Sequence, residues 1–273
     1  MKFNAKKELN RIISWGENFL AGTEGKPIIV GISGGKDSTI TAAALCEIVG
    51  VHRVLGVRLP QDRQYDIATS RAVCEHLGIQ SIEINIGPAY RALLLNIKHS
   101  ADNFLKSPFN SVVTTNTPAR MRMTALYAVA NQLHGRVANT CNLSESFVGW
   151  DTKWGDQCGD FGLFQDYTAT EVKAIGRELG IDNKFIDKAP EDGMCGKTDE
   201  EKWGFSYDYL DAWIRRGGGY ENETDKRILE MHVAALHKLT AIQLPHPEYS
   251  PAGSHSLLLG QSDPSKLLSK RTA

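Results

Sequence analysis

The chain has 273 residues, of which 41% are hydrophobic and 23% charged, and its formal net charge is −1. These values are typical of a soluble protein with a sizeable core, and the near-zero charge argues against a nucleic-acid-binding surface. No apolar run reaches membrane-spanning length, so we expect no membrane partner. The five cysteines are widely spaced and include no C-x-x-C pair. With no signal-like apolar core near the start, this pattern predicts a cytoplasmic protein.

The first part of the chain alternates between predicted helices and strands. The helices are Phe3–Leu20, Ile40–Val49, Asp66–Leu77 and Ala89 to about Leu105, and the strands are Ile28–Val30, Arg53–Leu59 and Ser81–Ile86. Such alternation predicts an α/β fold, a doubly wound, mostly parallel sheet with helices on both faces.

The second part predicts one more strand and several helices. Residues Ser107–Asn116 lack a clear period and indicate a mobile connection, and Thr117-Pro118 indicates the start of a helix. A fourth strand at Arg136–Thr140, a capping box at Thr168 and Glu171, a polar lid at Ala189–Gly204, and helices at Ser206–Ile214 and Thr224–Leu239 follow. We expect a single domain over residues 1–273, with a partly disordered tail from about residue 245.

A glycine-rich turn, SGGKDS, lies between the first strand and the helix after it. Glycines allow backbone N–H groups to approach an anion, and a helix N-terminus favours phosphate. The turn fits neither the Walker pattern, because Asp37 follows Lys36, nor G-x-G-x-x-G, because Ser33 replaces the second glycine. Asp37 would repel phosphate unless a cation lay between them, so the turn predicts magnesium together with a nucleotide.

Other charged residues follow the predicted strands or lie among aromatic residues. Glu145, after the fourth strand, is either a second magnesium ligand or a carboxylate that stabilises a helix N-terminus. Arg120 and Arg122 are two apart on a helix and cannot share a face, so we expect one to be functional. Lys153 and Asp156 lie in WDTKWGD, which is either an aromatic wall for a flat cationic ring or a simple core segment.

Several segments together resemble the ammonia-dependent NAD synthetases. They are SGGKDS, VRLP, ARMRMTALYAVAN, NTCNLSESFVGWDTKWGD and GKTDEEKWGFSYDYLD, and the match runs from about Ile28 to Lys238. The resemblance implies an adenine nucleotide alpha-hydrolase-like fold. It also implies an enzyme that adenylates deamido-NAD with ATP and Mg²⁺ and then amidates it with ammonia, giving NAD, AMP and pyrophosphate.

The resemblance also implies roles for individual residues. ATP would be bound by Gly31, Ile32, Ser33, Gly34, Gly35, Lys36, Asp37, Ser38 and Thr140, and the metal by Asp37 and Glu145. Deamido-NAD would be contacted by Arg120, Lys153, Asp160, His237 and Lys238. The candidate catalytic residues are Asp37, Asp156 and Lys153, with Asp156 as the proton acceptor from ammonium. The family is typically a homodimer, so we expect one here.

The sequence departs from the family pattern near the triphosphate. Many members have lysine where Ala169 stands and threonine or serine where Glu191 stands. Lys36, where glutamine is common, is hypothesised to supply part of the missing positive charge. The alternatives are a pyrophosphatase-loop enzyme with a different acceptor and a non-catalytic nucleotide-binding module. Free ammonia is the expected nitrogen donor, although a separate glutaminase subunit remains an alternative.

Overall fold

Five short parallel strands form the sheet in the part of the chain that the structure describes. They are β1 (Ile28–Gly31), β2 (Val54–Arg58), β3 (Gln80–Glu83), β4 (Arg136–Asn139) and β5 (Phe161–Gly162). Their order across the sheet is β3-β2-β1-β4-β5, and each neighbouring pair is parallel. The strand order therefore reverses between β1 and β4, which is where open α/β sheets bind ligands.

Helices cover both faces of this sheet, as predicted. They are α1 (Ala5–Leu20), α2 (Lys36–Val49), α3 (Ile67–Leu77), α4 (Gly87–Ser100), α5 (Ser111–Leu133), α6 (Leu143–Val148), α7 (Ala169–Glu178), α8 (Asn183–Ile186), α9 (Asp199–Trp203), α10 (Tyr207–Arg215) and α11 (Glu223–Leu239). This computed structural model describes residues 3–23, 25–62, 67–101, 103–187 and 198–239. The described residues contain no helix that is both long and apolar enough to cross a membrane.

Successive side chains of β1 point to opposite faces of the sheet and pack against the helices on each face. Ile28 and Val30 pack in the core cluster that includes α2 and α7, whereas Ile29 packs in the cluster with Ala130 of α5. All three β1 side chains are fully buried, because a central strand has helices on both faces. The core thus fixes the end of β1, from which the glycine-rich turn emerges.

Two predicted boundaries in the helices are wrong in ways that matter for the site. Helix α2 begins at Lys36 rather than Ile40, so Lys36 and Asp37 lie in its first turn. Helix α5 begins at Ser111, because the Asn110 side chain accepts a hydrogen bond from the backbone N–H of Val113. Pro118 lies inside α5 and does not start it.

Three other predictions concern segments near or beyond the described residues. Residues 189–197 of the predicted lid and the predicted tail from about residue 245 lie outside them. The described end of the lid is a short helix, α9, whose Trp203 is buried, so this part packs as core. The described residues fall in one compact unit, Met1–Leu239, and a single domain over the whole chain stays a prediction.

Candidate active site

The glycine-rich turn joins β1 to α2 and is closed by serine hydroxyl groups. The Gly35 N–H donates to Ser33 Oγ at 3.2 Å, and Ser38 Oγ donates to the Gly35 carbonyl at 3.1 Å. Gly34 has a φ of +87°, and a Cβ added there would lie 3.0 Å from the Ser70 backbone nitrogen. Only glycine fits this close approach, and the turn leaves the first N–H groups of α2 available to an anion.

Asp37 and Glu145, the two predicted metal ligands, are brought together through Asn142. The Asn142 side-chain N–H donates to Asp37 Oδ1 at 3.0 Å. Asn142 is also the N-cap residue of α6, and it forms a reciprocal capping box with Glu145. The predicted role of Glu145 at a helix N-terminus is therefore confirmed, and the negative charge of Asp37 also acts on this residue.

The negative charges of Asp37 and Glu145 would be stabilised by a cation bound between them. Burial, together with the negative charges of Asp37 and Asp156, raises the pKa of Glu145 to about 8, although Lys36 acts in the opposite direction. In the described residues, no group of three or more His, Cys, Asp or Glu side chains is arranged to hold a metal ion. Mg²⁺ is usually held by one or two carboxylates plus phosphate oxygens, so Asp37 and Glu145 fit a magnesium ion bound together with a nucleotide.

Asp156 lies near this pair, and its side chain is exposed in the chain on its own. Its Oδ1 accepts the Thr152 backbone N–H at 2.6 Å, which fixes the carboxylate inside the loop between α6 and β5. Desolvation by the surrounding loop raises the pKa of Asp156, while the Thr152 N–H acts in the opposite direction. A carboxylate with a raised pKa is a stronger base, and so a better proton acceptor, than one with the usual aspartate pKa.

Four of the residues predicted to bind deamido-NAD are linked through the loop that contains Asp156. Arg120 Nε donates to the Lys153 carbonyl at 3.3 Å, and Lys153 Nζ donates to the His237 carbonyl at 2.6 Å. Lys238 Nζ donates to the carbonyls of Gly149 and Asp151 at 2.7 and 2.6 Å. These contacts connect α5 and α11 to one loop and surround it with positive charge.

Asp160 and Thr140 lie at different ends of β4. Thr140 follows the last residue of the strand, beside the capping residue Asn142. Asp160 Oδ2 instead accepts the backbone N–H of Val137 at 2.8 Å, near the start of the strand. Asp160 therefore lies towards the end of β4 opposite to Thr140.

Comparison with known proteins identifies the family. A model described as NAD synthase matches residues 8–243. The chain belongs to the NAD synthase family. It is 34% identical over 207 residues to the NH(3)-dependent NAD(+) synthetase of Thermococcus kodakarensis, covering 76% of this chain and 78% of that protein. The corresponding protein of Alkaliphilus oremlandii is 32% identical over 247 residues, or 88% of this chain and 97% of that one.

Solved structures of related enzymes share the fold. The NMN synthetase from Francisella tularensis has a TM-score of 0.79 and 28% identity, covering 89% of this chain and 99% of that chain. The NAD+ synthetase from Burkholderia pseudomallei has a TM-score of 0.70 and 26% identity, covering 87% and 91%. As an NAD synthase family member, the protein is a ligase that amidates deamido-NAD with ammonia and uses ATP as co-substrate.

Sequence reasoning missed three residues of this NAD synthase site. Asn142 links the two carboxylates, and its N-x-x-E spacing with Glu145 was the available signal. Asp199 accepts hydrogen bonds from Trp150 Nε1 at 2.9 Å and from the Tyr207 hydroxyl at 3.1 Å. Tyr207 lies beneath the glycine-rich turn, with its ring centroid 5.2 Å from Lys36 Nζ. No local pattern marks Tyr207, because only the tertiary fold brings α10 to this turn.

Ala169, where many family members have lysine, is buried in the same apolar cluster as Tyr207. Its backbone N–H donates to Ser144 Oγ at 2.9 Å. Lys36 contacts this cluster at the Tyr207 ring, and the compensation of the missing lysine by Lys36 stays a prediction. Glu191 lies outside the described residues.

Proposed function

We propose that this NAD synthetase binds the magnesium ion of ATP with Asp37 and Glu145, and binds the ATP phosphates with the turn from Gly31 to Ser38. The observation that carries the proposal is the double role of Asn142, which bonds Asp37 and caps the helix of Glu145. A metal bound there would neutralise the leaving pyrophosphate. The N–H groups of the turn would bind the same phosphates.

The chemistry proceeds in two steps without a covalent protein nucleophile. The carboxylate of deamido-NAD attacks the α-phosphorus of ATP, and the bond to pyrophosphate breaks. Ammonia then attacks the resulting acyl adenylate, which gives the amide and releases AMP. The residues of this chain orient the reactants and stabilise the developing charge.

Asp156 is the proposed proton acceptor from ammonium. Desolvation by the surrounding loop raises its pKa, and its negative charge acts on Glu145, in the proposed phosphate site. Four residues are proposed to bind deamido-NAD because they meet at the loop that carries Asp156. Lys153 lies in this loop, and Arg120, His237 and Lys238 lie on helices hydrogen-bonded to it. Asp160 is proposed for the same substrate on the resemblance alone.

We also propose a homodimer, which the exposed apolar face of α4 and the segment after it supports. From Arg91 to its end, α4 has no buried residue. Large apolar side chains are nevertheless exposed there: Leu93, Leu95, Ile97, Phe104 and Leu105. Apolar patches of this kind commonly mark protein–protein interfaces. A cytoplasmic location is proposed too, supported by the four described cysteines, which are all unpaired.

A direct assay of the purified protein tests the proposed function. The protein is mixed with ATP, MgCl₂, ammonium and deamido-NAD, and NAD, AMP and pyrophosphate are measured. We expect equal amounts of the three products and none without magnesium or deamido-NAD. The acid (deamido) form of NMN is assayed as a second possible acceptor, because one of the similar solved structures is an NMN synthetase. Faster amidation of the mononucleotide would overturn the assignment of deamido-NAD as the preferred acceptor.

A further inference from the structure

Lys36 has an unusual position for a lysine. It is 3% exposed and lies in the first turn of α2. A helix N-terminus carries a partial positive charge, so a cation is unfavourable there. A buried ammonium also loses its hydration and needs a compensating partner. The helix dipole and the loss of hydration therefore both disfavour a charged lysine at this position.

Carboxylates around Lys36 offset these costs. Lys36 Nζ lies 2.7 Å from Asp37 Oδ2. Burial lowers the pKa of Lys36, but the negative charges of Asp37, Glu145 and Asp199 outweigh it, so the net direction is upward. The Tyr207 ring lies 5.2 Å from the ammonium and adds a cation–π contact. Lys36 is thus a buried positive charge in direct contact with Asp37, one of the two proposed metal ligands.

We propose that Lys36 is a built-in counter-ion of Asp37 in the Asp37–Glu145 pair, and that its ammonium competes with the metal for the Asp37 carboxylate. The proposal rests on the proposed function of that pair. An ammonium 2.7 Å from Asp37 Oδ2 occupies the place that a metal ion bound to this oxygen would take, so the two cations compete for it. The ammonium displaced from Asp37 is then available to the phosphates of ATP.

The proposal predicts that one substitution shifts two affinities in opposite directions. Lys36→Gln removes the positive charge, shortens the side chain by one atom and keeps a polar end group. We expect the nucleotide-free variant to bind Mn²⁺ about 10-fold more tightly than the wild type, because the competing charge is gone. We expect an α,β-methylene analogue of ATP, at saturating Mg²⁺, to bind about 10-fold more weakly. Both constants are measured by isothermal titration calorimetry.

Matched variants separate this role from a structural one. Lys6→Gln, at an exposed position on α1, should change neither affinity. If Lys36→Gln weakens both affinities, or leaves Mn²⁺ binding unchanged, the counter-ion role is wrong. If the Glu145→Gln variant binds Mn²⁺ as tightly as the wild type does, the proposed metal site is wrong. That result is distinct from a failure of the counter-ion role alone.

A second measurement uses the wild-type protein and does not depend on the folding of a variant. A crystal structure with Mn²⁺ alone should show Lys36 Nζ moved away from Asp37 Oδ2, beyond the present separation of 2.7 Å. A metal bound to Asp37 while this contact is retained would overturn the proposal.

Discussion

Asn142 donates its side-chain N–H to the carboxylate of Asp37 at 3.0 Å while capping the helix that carries Glu145. The two residues are 105 positions apart in the sequence, and this bond connects the ends of two neighbouring strands, β1 and β4. Because Asn142 is fully buried, the bond is shielded from water and fixes the distance between the carboxylates.

Asn142→Ala should therefore reduce both stability and activity. The variant loses a helix cap and leaves Asp37 without its amide partner, so we expect about 1–3 kcal/mol less free energy of unfolding. The kcat of amidation should fall on the order of 10-fold, because the carboxylates lose their fixed spacing. Urea unfolding and steady-state kinetics measure the two effects.

The control for this variant is Asn4→Ala, which removes the exposed cap of α1. It should cost stability without changing kcat. Equal kinetic losses in the two variants would show that Asn142 acts through general stability alone.

Glu145→Gln should change stability and activity in opposite directions. In the metal-free protein the pKa of Glu145 is raised from 4.5 to about 8. The ionised form is therefore disfavoured in the folded state, and the wild type loses stability relative to the variant as pH rises from 4.5 to about 8. We expect the variant to have the higher Tm at pH 8.5 in EDTA, while kcat falls on the order of 100-fold.

Below pH 4.5 the difference in Tm between these two proteins should disappear, because the glutamate is then neutral in both the folded and the unfolded states. A variant that melts below the wild type at pH 8.5 would contradict the raised pKa.

Asp151→Asn tests a buried carboxyl outside the proposed metal site. Asp151 is 6% exposed, and burial raises its pKa although the Ser146 hydroxyl and Lys238 act in the opposite direction. The wild type therefore loses stability relative to the variant as pH rises above the usual aspartate pKa, and the deficit persists at neutral pH. We expect the variant to melt about 2–4 °C higher at pH 7, with no difference at pH 3. A lower Tm at pH 7 would contradict this account.

Asp156→Asn should separate the two chemical steps. Adenylation does not require a proton acceptor for ammonium, so pyrophosphate release that depends on deamido-NAD should persist. NAD formation should fall on the order of 100-fold, and by less at high pH, where free ammonia is abundant. Rapid-quench measurement of pyrophosphate and NAD distinguishes the steps. Equal loss of both products would argue that Asp156 positions the substrate instead.

Charged residues on the exposed face of α4 should disrupt the proposed dimer. Leu93 and Ile97 are 40% and 37% exposed and lie one turn apart. The double variant Leu93→Glu, Ile97→Glu should be monomeric by light scattering, whereas Trp15→Glu on α1 should stay dimeric. A monomeric wild type would contradict the proposal.

The sequence predicted the sheet more accurately than it predicted the site. β1 was recognisable because Ile28, Ile29 and Val30 form a β-branched run that needs burial on both faces. β5 was not, because Phe161 and Gly162 form a strand only through pairing with β4. The start of α5 was missed because Asn110 caps it seven residues before Thr117, and Pro118 lies inside the helix.

Within the site, local motifs were readable and the contacts between them were not. The glycine-rich turn and Glu145 were found from residue type and from position relative to a strand. Asn142 and Tyr207 act through partners far away in the sequence, and no short pattern specifies such a pair. The burial of Lys36 was also unpredictable, because it depends on α10 packing beneath the turn.

The central claim is that Asp37 and Glu145 bind one metal ion together with the triphosphate. The most direct measurement is a crystal structure with Mn²⁺ and a non-cleavable ATP analogue, with the metal located by anomalous scattering. The account predicts one Mn²⁺ ion with a carboxylate oxygen of each residue and phosphate oxygens at about 2.0–2.4 Å. A metal ion held by the phosphates with neither carboxylate in contact would contradict it.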